Sequence, residues 1–154
     1  MMIKVSYPSQ KPSLKVENGK EVIFCIARKR WMLVTPEEWV RQNFLLYLVN
    51  VLGFPLSLIA VEKQFNVGEM KKRFDIVVYQ SSGAPYIVVE CKEMDTALTE
   101  GVLQQILRYN ISLRANFLVI TNGLYCAAFK HQDSLFEMIS EIPSYTQGDK
   151  KNPA

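Results

Sequence analysis

The chain has 154 residues, 49% of them hydrophobic and 21% charged, and a formal net charge of +3, so it can fill one globular core, is neither disordered nor fibrous in composition, and tolerates a polyanionic partner without requiring one. Three isolated cysteines, no CxxC pair and a single histidine argue against a zinc site and a disulfide framework and favour a reducing cytoplasm. The N-terminus lacks the apolar stretch of a secretion signal, and the longest apolar run, Phe44 to Phe54, is broken by Asn50 and Gly53 and too short to span a bilayer.

Residues 1–12 read as a Pro-containing extended arm. Leu14 to Val16 and Val22 to Ile26 flank Asn18-Gly19, a strong hairpin signal. Arg28-Lys29-Arg30 follows, more readily a solvated turn than a phosphate contact, and then a short strand from Trp31 to Val34. Thr35-Pro36-Glu37-Glu38 opens a helix: Thr35 can cap, Pro36 suits the first helical position, and Glu38 would complete a capping box. The helix is expected to run to Leu52 and stop before Gly53. Val40, Phe44, Leu48 and Val51 form its apolar stripe, and Glu37 extends that stripe towards the N-terminus. Glu37 therefore either offers a carboxylate to a site or complements the helix dipole and pairs with Arg41.

Leu56 to Phe65 is a third strand, with a turn at Asn66-Val67-Gly68. The basic triplet Lys71-Lys72-Arg73 is either a nucleic-acid-binding element or a charged strand edge. It leads into RFDIVVYQSSGAPYIVVECK, two apolar, β-branched strands joined by a turn. A second helix spans Ala97 to Asn110, with Gln105 and Tyr109 on one face; they either touch substrate or orient Lys92, or else are satisfied within the core. Asn116 to Thr121 and Leu124 to Phe129 are strands around the Asn122-Gly123 turn, His131 is a surface residue, and Leu135 to Ile139 suggests a short closing helix. The expected organisation is one domain over 1–142 and a disordered polar tail over 143–154.

The chemistry concentrates in the central hairpin. In an antiparallel pair the start of one strand lies near the end of the next, so Asp75 should approach Glu90. Strand alternation places Glu90 and Lys92 on one face. Two close carboxylates repel unless a proton or cation lies between them. A hard divalent cation such as Mg²⁺ suits carboxylate oxygens, water and phosphate.

Asp75 followed by Glu90-Cys91-Lys92 resembles the D…ExK signature of the PD-(D/E)xK nuclease superfamily. The ordered set Pro36-Glu37-Glu38-Trp39-Val40-Arg41-Gln42, Lys72-Arg73-Phe74-Asp75-Ile76-Val77-Val78, Val89-Glu90-Cys91-Lys92, Gln105-Ile106-Leu107-Arg108-Tyr109 and Thr121-Asn122-Gly123 is similar to the nuclease domain at the N-terminus of type I restriction enzyme R subunits. That resemblance implies an α/β fold: a restriction-endonuclease-like core of mixed β-sheet flanked by helices, with an N-terminal β-hairpin. It implies Asp75, Glu90 and Lys92 as catalytic residues, joined by Gln105, Tyr109 and Glu37. It also implies Mg²⁺ or Mn²⁺ on Asp75, Glu90 and the Cys91 backbone carbonyl, DNA as substrate, and other restriction subunits or a second copy as partners. No GxxxxGK[ST] motif is present, so no ATP-driven motor follows from the resemblance. The alternative is a nucleic-acid-binding or subunit-docking module whose nuclease site is silent.

Overall fold

The computed structural model describes residues 2–145. Ten strands and two α-helices follow in the order β1 (Ile3–Lys4), β2 (Leu14–Glu17), β3 (Lys20–Cys25), β4 (Arg30–Leu33), α1 (Pro36–Asn50), β5 (Ile59–Val67), β6 (Met70–Tyr79), β7 (Pro85–Cys91), α2 (Glu100–Tyr109), β8 (Phe117–Thr121), β9 (Tyr125–Gln132) and β10 (Leu135–Ile139). A seven-stranded sheet runs β1-β9-β8-β7-β6-β5, with β10 also on β9, and β2-β3-β4 form a separate small sheet. Only β7 and β8 pair in parallel, through the crossover that contains α2; every other pair is antiparallel. This is a mixed α/β fold.

Alternation sorts the strand residues into two core layers. Ile87, Val89, Cys91, Val119, Cys126 and Ala128 pack with Val40, Phe44 and Leu48 of α1. Val88, Leu118, Ile120, Ala127 and Phe129 pack with Ile106 of α2. The α1 helix touches β3 as well as β6 and β7, and its buried residues occupy most of its circumference. A helix covered nearly all round cannot carry a clean amphipathic stripe, which is why the sequence stripe named only part of its buried set. Gly123 shows why the 122–123 turn is so placed: its φ is +91°, and an added Cβ would meet Val40 Cγ2 at 3.2 Å.

Three expectations are corrected and one is extended. Leu135 to Ile139 is a strand paired with β9, not a helix; the run was too short for periodicity to decide. The N-terminal hairpin forms as expected from β2 and β3, and the expected strand after it joins as β4; Ile3–Lys4 of the arm adds to β9. The third strand begins after a 3₁₀ turn at Leu56–Leu58 and continues through Val67. Within the expected tail, Tyr145 donates its N–H to Leu52 O at 2.8 Å and packs its ring on Phe54; residues 146–154 lie outside the described residues.

Candidate active site

The β6–β7 ladder ends at the Ile76–Val89 pair, and continuing its register one step brings Asp75 to the level of Glu90. The two side chains nevertheless leave their strands by different routes. Phe74 joins the α2-side core and Ile76 the α1-side core although they are two residues apart, so the alternation of β6 slips at Asp75. Opposite it on β5, Glu62 falls between the Val61–Ile76 and Lys63–Phe74 pairs and adopts φ +54°. A non-glycine residue held in the left-handed region is strained and persists only where its surroundings fix it.

What fixes it is a partly buried ion network under α1. Asp75 Oδ1 accepts from Arg41 Nη2 at 2.8 Å, and Oδ2 accepts from the Cys91 N–H at 2.8 Å. Arg41 Nη1 also donates to Glu38 Oε1 at 2.7 Å, and its Nη2 lies 3.7 Å from Glu62 Oε1. Arg28 bridges Glu38 at 2.7 Å and Glu62 at 2.9 Å, and its Nε donates to Cys25 Sγ at 3.3 Å. Gln42 donates to Glu38 Oε2 at 2.8 Å. Burial pushes the Glu38 carboxyl up, but the Gln42 hydrogen bond and the Arg41 and Arg28 charges outweigh it and hold the group below its usual range. Burial, helped by Asp75, pushes the Cys91 thiol well up.

Arg28 is therefore neither a solvated turn nor a phosphate contact, because its guanidinium is spent on two internal carboxylates. Thr35 caps α1 by accepting from the Glu38 N–H at 3.0 Å. The Glu38 side chain does not complete the capping box, since two arginines and Gln42 claim both of its oxygens. The expected Glu37–Arg41 pair is not formed, because Arg41 faces the interior.

On the other side of β7 lies a cleft of about 510 Å³ lined by Glu37, Lys72, Glu90, Lys92, Glu93 and residues of α2 including Gln105 and Tyr109. Five of the six candidate catalytic residues thus share one cavity; Asp75 is not among its lining residues. Gln105 and Tyr109 are exposed, Tyr109 by 57%, so they are not amide and phenol satisfied within the core. The Lys71-Lys72-Arg73 triplet divides by alternation: Lys71 and Arg73 are exposed, while Lys72 turns in and pairs with Glu90 Oε1 at 2.6 Å. Asn110, buried at the end of α2, donates to that same oxygen at 3.2 Å. The Lys92 N–H donates to Thr121 O at 2.7 Å, which anchors the residue as β7 ends. Among the described residues the Lys92 ammonium has no ion pair.

Arg41, Arg28, Glu62, Lys72 and Asn110 each hold a site carboxylate or its partner, and none was identified in that role from sequence. Glu38, read as a cap, does more than that. The one available signal was the cluster of Glu38, Arg41 and Gln42 on successive buried turns, masked by the stronger capping pattern.

Among the described residues, no group of three or more His, Cys, Asp or Glu side chains is arranged to hold a metal ion. The donor chemistry nonetheless fits a hard divalent cation. The carboxylates of Asp75 and Glu90 and the backbone carbonyl of Cys91 make an all-oxygen donor set, and Asp75 is tied to the Cys91 N–H beside Glu90.

The profile of the type I restriction enzyme R protein N terminus (HSDR_N) matches residues 36–143. The chain belongs to that family. A crystal structure described as a candidate nuclease of the DUF820 group from Anabaena variabilis superposes with a TM-score of 0.47 at 12% identity, covering 94% of this chain and 87% of that one. No curated protein matches the chain. No helix among the described residues is long and apolar enough to cross a membrane.

Proposed function

We propose that the chain is a Mg²⁺- or Mn²⁺-dependent endonuclease domain that hydrolyses DNA phosphodiesters, working beside other subunits of a type I restriction system or as a pair of copies. The observation that carries this reading is the cleft itself. It gathers Glu37, Glu90, Lys92, Gln105 and Tyr109 from two helices and a strand end, with Asp75 bound to the peptide that follows Glu90.

Asp75, Glu90 and the Cys91 carbonyl would hold the cation, with Glu37 as an outer acid. Bound there, a divalent ion offsets phosphate charge and lowers the pKa of a coordinated water. The remaining roles belong to the protein. Lys92 Nζ donates to a non-bridging phosphoryl oxygen or holds the attacking water, so that negative charge developing at phosphorus meets a fixed ammonium. The water oxygen bonds to phosphorus, the P–O bond to the leaving sugar oxygen breaks, and the water's proton ends on that oxygen. Gln105 and Tyr109, exposed on one face of α2, hold the DNA backbone across the cleft, and Lys71 and Arg73 add sequence-independent phosphate attraction. Arg41 acts through Asp75 by fixing its carboxylate.

The test is Mn²⁺ titration of the purified chain together with cleavage of supercoiled plasmid. Mn²⁺ binding that is weakened in Asp75→Asn and Glu90→Gln, with metal-dependent nicking, supports the reading. A chain that binds no Mn²⁺ removes it.

A second reading is a nucleic-acid-binding or docking module with a silent site. One observation favours it: both carboxylates are already neutralised, Asp75 by Arg41 and Glu90 by Lys72. Such a module would bind DNA or a partner with no response to divalent metal, and the same titration separates the two.

A further inference from the structure

The cleft contains two lysines in different states. The Lys92 ammonium has no ion pair or hydrogen bond among the described residues. The Lys72 ammonium is held from three sides: by Glu90 Oε1 at 2.6 Å, by Asn110 Oδ1 at 3.1 Å and over the Phe74 ring at 5.3 Å from its centroid. Asn110 is fully buried and donates to Ile106 O at 2.8 Å, so its amide is fixed by α2 and cannot swing away with the lysine. The Lys72 side chain is 25% exposed and Glu90 13%, so water screens the pair only in part. The Lys72–Glu90 pair is therefore a preformed contact at the rim of the cleft.

We infer that Lys72 is a built-in counter-ion for Glu90 that a divalent cation must displace, and that the displaced ammonium then becomes a DNA phosphate contact. This rests on the metal-dependent reading above. Lys72 and Asn110 both bond Glu90 through Oε1, so a divalent ion on either oxygen of that carboxylate would lie within the width of one carboxylate of the ammonium, and the two cations would repel each other at that distance. Lysine suits such an exchange. Its point charge rides on a flexible four-carbon stem, it needs no fixed bidentate geometry, and it serves readily as a phosphate ligand. Arg41 does not suit it, being buried and committed to three carboxylates. One carboxylate of the pair is thus permanently oriented by a guanidinium, and the other is guarded by a removable ammonium. Without metal the guard cancels the charge of Glu90. Lys72 lies on the cleft side of β6, with Lys71 and Arg73 exposed on its opposite side, so an ammonium freed from Glu90 already faces the space a phosphate backbone would occupy. Metal binding and backbone binding become positively coupled.

The experiment measures Mn²⁺ affinity of the full chain by calorimetry and by electron paramagnetic resonance, for the wild type, Lys72→Met and Lys72→Gln. Both variants keep most of the stem and remove the charge, and a thermal melt checks that they fold. The expected result is Mn²⁺ binding about ten-fold tighter in both variants, a moderate figure because the pair is partly screened. Binding of a phosphorothioate DNA duplex, which resists cleavage, should be strengthened by Mn²⁺ in the wild type and much less in the variants. Equal Mn²⁺ affinity in all three proteins would overturn the inference while leaving the metal site standing. An absence of Mn²⁺ binding in all three would overturn the metal-dependent reading and this inference with it.

Discussion

At the scale of single residues, the decisive feature is how unequally the charged groups are used. The Lys92 ammonium has no ion pair among the described residues, and Lys92 lines the cleft with Glu90. Lys92→Ala should lower metal-dependent plasmid cleavage by a factor of about 10² to 10³ while leaving the thermal melt unchanged, because no ion pair is lost. Cleavage within a few-fold of wild type would take the role away from Lys92. Arg41 is the opposite case. Its side chain is 8% exposed and serves Glu38, Glu62 and Asp75 together, and its Nε has no hydrogen-bond partner. A buried network broken from one side leaves uncompensated charge, so Arg41→Met should destabilise the fold by about 3–5 kcal/mol in urea titrations. A loss below about 1 kcal/mol would mean that water already compensates the three carboxylates.

At the scale of elements, α1 couples stability to the site. Its N-terminus is fixed by Thr35, and removing that cap in Thr35→Ala should lower stability by about 1 kcal/mol. One turn on, Glu38 carries a pH dependence whose sign is determined. Its carboxyl is held below the ordinary value of 4.5 in the folded chain, so its contribution is fully present above that value and fades as pH falls through the lowered native one. Urea midpoints measured from pH 7 down to pH 3 should therefore drop more steeply in the wild type than in Glu38→Gln. Parallel pH profiles would show that another carboxylate dominates acid unfolding. On the sheet side, Glu62 at φ +54° marks the place where β5 departs from regular pairing to present a carboxylate to both arginines. Local strain there is offset by the network it completes.

At the scale of the whole molecule, the core layer on the α1 side of the sheet buries all three cysteines, Cys25, Cys91 and Cys126. Burial pushes the Cys126 thiol up to about 12 and Cys91 also upward; for Cys25 burial is outweighed by the Arg28 hydrogen bonds, which hold its thiol below the usual range, but it has no exposed surface. Thiol attack requires both thiolate and access, so the native chain should be inert to Ellman's reagent at pH 8 and release three equivalents only on unfolding. Rapid labelling of one thiol in the native state would reveal local opening of the layer that contains it.

The sequence by itself determined the strand hairpin with Asp75 across from Glu90, the capped helix before it, and the family to which the chain belongs. Each of these is written in short-range spacing: period-two apolar runs, Thr35-Pro36, and ordered motifs. Tertiary structure alone decided where the charges went. Arg28 reaches Glu62, and Arg41 reaches Asp75, each across 34 residues of chain, only because the turn after β3, helix α1 and strands β5 and β6 converge there, and no local periodicity encodes that meeting. Register fixes which residues are opposite one another, but at the slip in β6 Asp75 bonds Arg41 under α1 while Glu90 bonds Lys72 beside α2, and neither contact is written in local spacing.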